Sequence, residues 1–177
     1  MGIVEKIIGI LFLVPSSMLS AVSVLSAQNA GAGKHDRARQ TLWTGILITV
    51  VFGTISAVIM QFFAGSVIGL FTDNSKVILL GRQYMSSYVW DCIFAGIHFC
   101  FSGYFCAYGL SGISFIHNSV SIICARIPLA YLASIYFADT LFPMGIAAPV
   151  GSIVSVVICI SVFIWLRKRP GKLNGSI

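Results

Sequence analysis

Charge is the scarcest property of this 177-residue sequence: 9% of its residues are charged, and only five are acidic. A soluble domain carries about 25% charged residues and about 45–50% apolar ones. With 58% hydrophobic residues, this chain has too little polar surface to cover a water-facing exterior. Also absent is the polar–apolar alternation of transmembrane strands, which argues against a β-barrel. No Cys-x-x-Cys pair occurs among Cys92, Cys100, Cys106, Cys124 and Cys159, and all five lie in apolar runs. That pattern suggests neither a zinc site nor a disulfide framework and leaves small packing residues. A basic domain is missing too. The net charge of +6 comes largely from two small clusters, as expected of cytoplasmic loops between membrane spans rather than of a nucleic-acid partner. No small-x-small cleavage site ends the first apolar run, whose start carries Glu5 beside Lys6. It reads as a retained helix, not a signal peptide.

What is present is a succession of apolar runs of about 20 residues, the length that crosses a bilayer core as a helix. Five spans are expected, at about Ile7–Ala27, Thr44–Phe71, Tyr84–Leu110, Ile113–Phe137 and Gly145–Leu166. The fold class is therefore all-α: a polytopic membrane helix bundle over residues 1–169, with a basic cytoplasmic tail at 170–177. Pro15 should kink the first span, because it removes a backbone donor and crowds the preceding turn. Ser16, Ser20 and Ser23 share one face of that span, a small polar face suited to close helix packing or to a wet cavity. In Thr72-Asp73-Asn74-Ser75-Lys76, Asp73 or Asn74 is placed to cap a following helix. Asp139 to Pro143 form a second short outer turn.

The third span carries Asp91, the only acidic residue inside any run. Steps of three and four place Tyr84, Ser87, Tyr88, Asp91, Ala95, His98 and Ser102 on one stripe. A polar stripe in lipid must face other helices or water, and a carboxylate there costs about 2.5–3.5 kcal/mol even on the lenient insertion scale. A proton, a cation or a basic partner must offset that cost. Arg126, near the middle of the fourth span and followed by Pro128, is the candidate partner. The alternatives are a coupling site for Na⁺ or H⁺, and a fixed Asp91–Arg126 pair that only ties two helices. His98 can relay protons or simply bond a neighbouring helix; His117, near a helix end, reads as structural. Gln61 is the one large polar residue of the second span. With Tyr84 and Ser102 it is a candidate for lining a substrate cavity.

Charge counting sets the orientation. With Lys34, Arg37 and Arg39 inside, helix alternation places Arg167, Lys168, Arg169 and Lys172 inside as well. Lys6, Lys76 and Arg82 fall outside, the bias of the positive-inside rule. A multi-pass cell-membrane protein with a cytoplasmic C-terminus is expected.

The first basic cluster lies in Ala27-Gln28-Asn29-Ala30-Gly31-Ala32-Gly33-Lys34-His35-Asp36-Arg37-Ala38. Asparagine and glycine here terminate a helix by taking the left-handed conformation, and Arg37 and Arg39 anchor to lipid phosphate. The segment resembles the loop after the second helix of the C-terminal lobe of multidrug and toxic compound extrusion (MATE) transporters. Tyr88 to Phe94, Phe99 to Phe105, Arg126 to Tyr131 and Gly145 to Pro149 are similar to further segments of that lobe, in the same order. The resemblance implies a twelve-helix transporter of two pseudo-symmetric lobes, of which this chain supplies helices eight to twelve and lacks helix seven and the N-terminal lobe. It implies export of small cationic or amphipathic compounds by drug:Na⁺ or drug:H⁺ antiport with no other cofactor and no metal centre, and a partner in an N-terminal lobe or another copy. Asp91 matches the acid that some members use on helix ten. Their tyrosine one turn earlier is Ser87 here, with Tyr88 one residue away.

Two other readings stand beside it. Gly109-Leu110-Ser111-Gly112 resembles the rhomboid nucleophile motif, but that chemistry needs a histidine on a facing helix. The one histidine after Ser111 is His117, expected on the same helix, so a glycine turn and no enzyme is the reading. The remaining possibility is a truncated, non-transporting piece, or a small oligomeric channel or accessory membrane protein.

Overall fold

The computed structural model describes residues 2–137 and 140–168. The elements are α1 (Gly2–Leu11), α2 (Leu13–Gly31), α3 (His35–Gly69), α4 (Ser75–Tyr88), α5 (Asp91–Ala107), α6 (Ser111–Ser121), a π-turn (Ile122–Arg126), α7 (Ile127–Tyr136) and α8 (Phe142–Arg167). No strand occurs among the described residues. The continuous or nearly continuous stretches Gly2–Gly31, His35–Gly69, Ser111–Tyr136 and Phe142–Arg167 are long and apolar enough to cross a membrane. The tail 170–177, Arg169 and Asp139 of the expected outer turn lie outside the described residues.

Local chemistry accounts for several boundaries. Pro15 has no N–H for the carbonyl of Leu11, and the first helix divides at Phe12. Gly33, at φ +71°, makes the left-handed turn between α2 and α3. Asn74 caps α4, its side chain accepting from the backbone N–H of Lys76 at 3.0 Å and Val77 at 3.4 Å. Gly109, at φ 70°, turns the chain into α6. Pro128 cannot supply an N–H to the carbonyl of Cys124. The turn before it widens, and the Ile127 N–H bonds the Ile122 carbonyl five residues back.

The third expected span is not one helix. α4 and α5 meet at 45° across Val89 and Trp90. The joint is tightened to three-residue bonds, Cys92 N–H to Val89 and Ile93 N–H to Trp90. Neither proline nor glycine sits there, so packing sets the bend. Gly145 of α8 lies against the backbone of Tyr84 and Tyr88, leaving no room for a Cβ. On the other side, Gly53 of α3 lies against the backbone of Ile93.

α5 runs through the middle of the bundle and touches α2, α3, α6 and α8. One apolar core gathers at the α2–α3 hairpin end, around Leu42, Phe101, Phe105 and Tyr108; a second gathers around Ile7, Ile68, Met85 and Val89. Gly103 seats on the backbone of Leu19 and Ser23, so α5 reaches α2 at a glycine. Of the serine face of the first span, Ser23 is the part that meets α5, through its backbone. Ser16 and Ser20 are exposed, and the Ser16 hydroxyl returns to its own helix at Leu13. Cys92, Cys100 and Cys159 are buried, as packing residues should be, whereas Cys106 and Cys124 are exposed; all five are free thiols. Large apolar side chains such as Phe62, Leu70, Phe115 and Tyr136 stay three-quarters or more exposed or nearly so (78, 83, 75 and 74%), which requires an apolar surrounding.

Candidate functional site

The bend between α4 and α5 places Asp91 as the first residue of α5, fully buried at 0% exposure. The π-turn ends on Arg126, which faces it. Arg126 Nη2 donates to Asp91 Oδ2 at 3.2 Å and Oδ1 at 3.5 Å, and to Ser152 Oγ at 2.7 Å. Gly151 makes the approach possible, since a Cβ there would strike the Arg126 side chain. One guanidinium thus joins α5, the π-turn and α8.

The polar contacts continue inward. The Ser152 hydroxyl, already accepting from Arg126, faces both the Asp91 carboxylate and His98 Nε2, the latter at 3.5 Å; a bond to His98 makes Nε2 the acceptor. That arrangement leaves the His98 proton on Nδ1, an atom with no partner among the described residues. His98 and His117 lie edge to face, with ring centroids 5.7 Å apart. Ser155 donates to the His117 carbonyl at 3.2 Å and so accepts from His117 Nδ1–H, also at 3.2 Å. His117 Nε2 must then accept from the Ser102 hydroxyl, at 2.8 Å. Ser121 on α6 donates to the Gly151 carbonyl. Asp91, His98, Ser102, His117, Ser121, Ser152 and Ser155 are all buried. The result is a polar seam that joins α5, α6, the π-turn and α8.

Next to Arg126, a cavity of about 200 Å³ is lined by Tyr84, Tyr88, Ala130, Met144 and Ala147 among others. The stacked rings of Tyr84 and Tyr88, 5.4 Å apart, form its wall. The arrangement can hold one buried negative charge, screen it with one partly exposed positive charge, and admit a small species on the Arg126 side of the pair.

The sequence-selected residues separate into two groups. Asp91, Arg126, His98, Tyr84 and Tyr88 come together as described. Ser87 does not: its hydroxyl bonds Tyr84 and Gln83 carbonyls of its own helix, at 3.0 and 3.4 Å. Gln61 lies elsewhere, donating to the Ser86 carbonyl at 2.6 Å and tying α3 to the last turn of α4 just before the bend. Ser102 is taken up by His117. Ser111 is exposed at the start of α6 while the His117 ring is engaged by Ser102 and Ser155, so His117 is not placed to serve Ser111.

The MatE family model matches residues 1–132. The chain belongs to the MatE family. It is 21% identical over 174 residues to the probable multidrug resistance protein YoeA of Bacillus subtilis (strain 168), covering 97% of this chain and 38% of that one. It is 26% identical to the FAD transporter of Shewanella oneidensis, over 89% of this chain and 34% of that one. It is 27% identical to human multidrug and toxin extrusion protein 1, over 82% of this chain and 25% of that one. The fold matches a solved inward-facing conformation of a multidrug resistance MATE family transporter of the MOP superfamily. The TM-score is 0.78 at 17% identity, over 97% of this chain and 39% of that one. The chain therefore spans a quarter to two fifths of the length of these MatE relatives.

As a MatE chain, the protein is a multi-pass membrane helix bundle of a family of transporters. Sequence reasoning passed over Ser152, Ser155, Gly151 and the central place of His117. A signal was present: Gly145, Ala148, Ser152, Ser155 and Cys159 are small residues at helical spacing in the last span, and all five are buried. A small-residue stripe in a membrane helix marks a face where neighbours come close. His117 carries a similar mark, since Ser114, His117 and Ser121 recur at steps of three and four, and His117 and Ser121 are buried.

Proposed function

We propose that this chain forms helices eight to twelve of a MATE-type secondary transporter, part of its C-terminal lobe by its resemblance. It exports small cationic or amphipathic compounds across the cell membrane by drug:Na⁺ or drug:H⁺ antiport, with its C-terminus on the cytoplasmic side. The second lobe is an N-terminal lobe or another copy. The observation that carries the reading is the buried Asp91 carboxylate at the α4–α5 bend, held by a single partly exposed guanidinium beside a small cavity. A proton or cation arriving at Asp91 competes with Arg126 for the carboxylate. Arg126 keeps its bond to Ser152 and stays with α8, so ion binding loosens the tie between α5 and α8. A bent helix pair whose joint contains the ion-binding group is suited to rocking one part of a lobe against another, the general design of transporters with a midplane site. His98, reached through Ser152, is the next station for a proton leaving Asp91.

A second reading is a permanent Asp91–Arg126 tie, favoured by the complete burial of Asp91. The experiment that separates them is efflux by the two-lobed transporter carrying Asp91→Asn. The coupling reading expects loss of Na⁺ or pH dependence, and the tie expects that dependence to remain while stability falls.

A further inference from the structure

We propose that the groove between α2 and α3 at their hairpin end binds a single anionic glycerophospholipid, headgroup at Arg37 and one acyl chain along the groove. The groove is about 440 Å³. Its α2 wall is Met18, Val22, Leu25 and Asn29, a stripe at steps of four, three and four. Its α3 wall is Arg37, Thr41, Thr44 and Ile48, the same steps on an antiparallel helix. The two stripes therefore match end for end: Asn29 opposes Arg37 at the hairpin, and Met18 opposes Ile48 at the far end. Polarity falls along the groove from Arg37 and Gln40, through the threonines, to Leu25, Ile48 and Met18. That gradient is the profile of one amphiphile, not of a second apolar helix. The distance from Asn29 to Met18 along a helix is about 16 Å, a good part of one leaflet's acyl depth in a hydrocarbon core of about 30 Å.

Charge decides the headgroup. Arg37 is exposed and has no carboxylate partner among the described residues; Asp36, the one acid of the hairpin, points to Arg39 at 3.6 Å. Lys34 is exposed at the turn beside it. The polar end thus offers uncompensated positive charge with an amide donor from Gln40, while the Thr41 hydroxyl is spent on the Arg37 carbonyl; that set suits a phosphate diester. On the opposite side α2 and α3 are packed by α5 through Gly103 and Gly96, so the groove is a cleft on the outer face and not a gap in the core. Gly45 forms its floor, with Val22 closing over it.

The test needs no transport. The purified full chain is delipidated in detergent and titrated with dioleoyl phosphatidylglycerol or dioleoyl phosphatidylcholine, and bound lipid is counted by native mass spectrometry. The expected result is one tightly held phosphatidylglycerol, preferred about fivefold over phosphatidylcholine, the contribution of one basic residue near an anionic headgroup. Arg37→Gln should abolish the preference. Ala21 also lines the groove, beside Val22, and Ala21→Trp, which fills the groove from that wall, should lower retention of both lipids. Lys168→Gln, at the end of α8 and not among the residues that line the groove, should change neither. Equal retention of the two lipids by the native chain overturns the proposal, as does an equal loss of preference with Lys168→Gln, which would mean a diffuse basic surface. Displacement of the lipid by millimolar inorganic phosphate also overturns it, because the site would then be one for free phosphate.

Discussion

Replacing Arg126 by Gln removes the only cation within ion-pair distance of Asp91 among the described residues, and it does so without changing the carboxylate's burial. At 3.2 Å the pair attracts by about 5 kcal/mol at an effective dielectric of about 20. Desolvation offsets part of this, and Arg126 is 31% exposed, so solvent screens more. A coupling of about 2–3 kcal/mol between the two positions is a reasonable remainder, the upper end of what contacting residues show in double-mutant cycles. The single variant should cost more than that coupling, about 3–4 kcal/mol, because it strands a buried charge and also removes the 2.7 Å bond to Ser152. Asp91→Asn should cost less, about 1–2 kcal/mol, since an amide oxygen still accepts from Arg126. The double variant Asp91→Asn with Arg126→Gln should be more stable than the sum predicts. The assay is denaturant unfolding of the purified chain in detergent micelles, followed by tryptophan fluorescence, for the native chain and the three variants. Additivity within about 0.5 kcal/mol would show that the two charges do not meet, and both the tie and the coupling mechanism would fall with it.

Three further predictions use the same assay. Ser102→Ala removes the donor to His117 Nε2 and should cost about 1–3 kcal/mol, because that buried nitrogen is left unsatisfied; Ser102→Thr should recover much of it. Gly103→Val drives a side chain into the Leu19 carbonyl of α2 and should cost at least about 1–3 kcal/mol, whereas Gly112→Val, with open space around it, should change little. Asn74→Ala should cost about 1 kcal/mol through loss of the α4 cap, with Asn74→Asp nearly neutral.

Much of the fold was legible because lipid imposes simple rules. Apolar length marks the helices, Gly33 and Gly109 mark turns that need φ near +70°, and Asn74 marks a cap. The Asp91–Arg126 contact was legible for a related reason: each was the lone charge of its sign within a span, and a buried charge in lipid seeks a partner. The bend at Val89–Trp90 was not legible. Its four residues from Tyr88 to Asp91 contain no helix breaker, and the bend comes from Gly145 and Gly53 pressing from other helices. The π-turn left a trace in Pro128, which predicts a disturbed turn but not one that swings Arg126 toward α8. The small-residue face of α8 was readable by spacing alone. Gln61 and Ser102 looked like cavity residues because polar groups in lipid invite that reading. In the fold, each instead satisfies a neighbouring helix, Gln61 at the Ser86 carbonyl and Ser102 at His117.

The most direct measurement is efflux of a fluorescent organic cation from cells producing the two-lobed transporter, native or with Asp91→Asn, across a series of imposed Na⁺ and pH gradients. The coupling account predicts that the variant, present in the membrane at native level, no longer responds to the gradient that drives the native protein. Efflux that keeps its full dependence on that gradient would contradict it and leave Asp91 as one half of a structural tie.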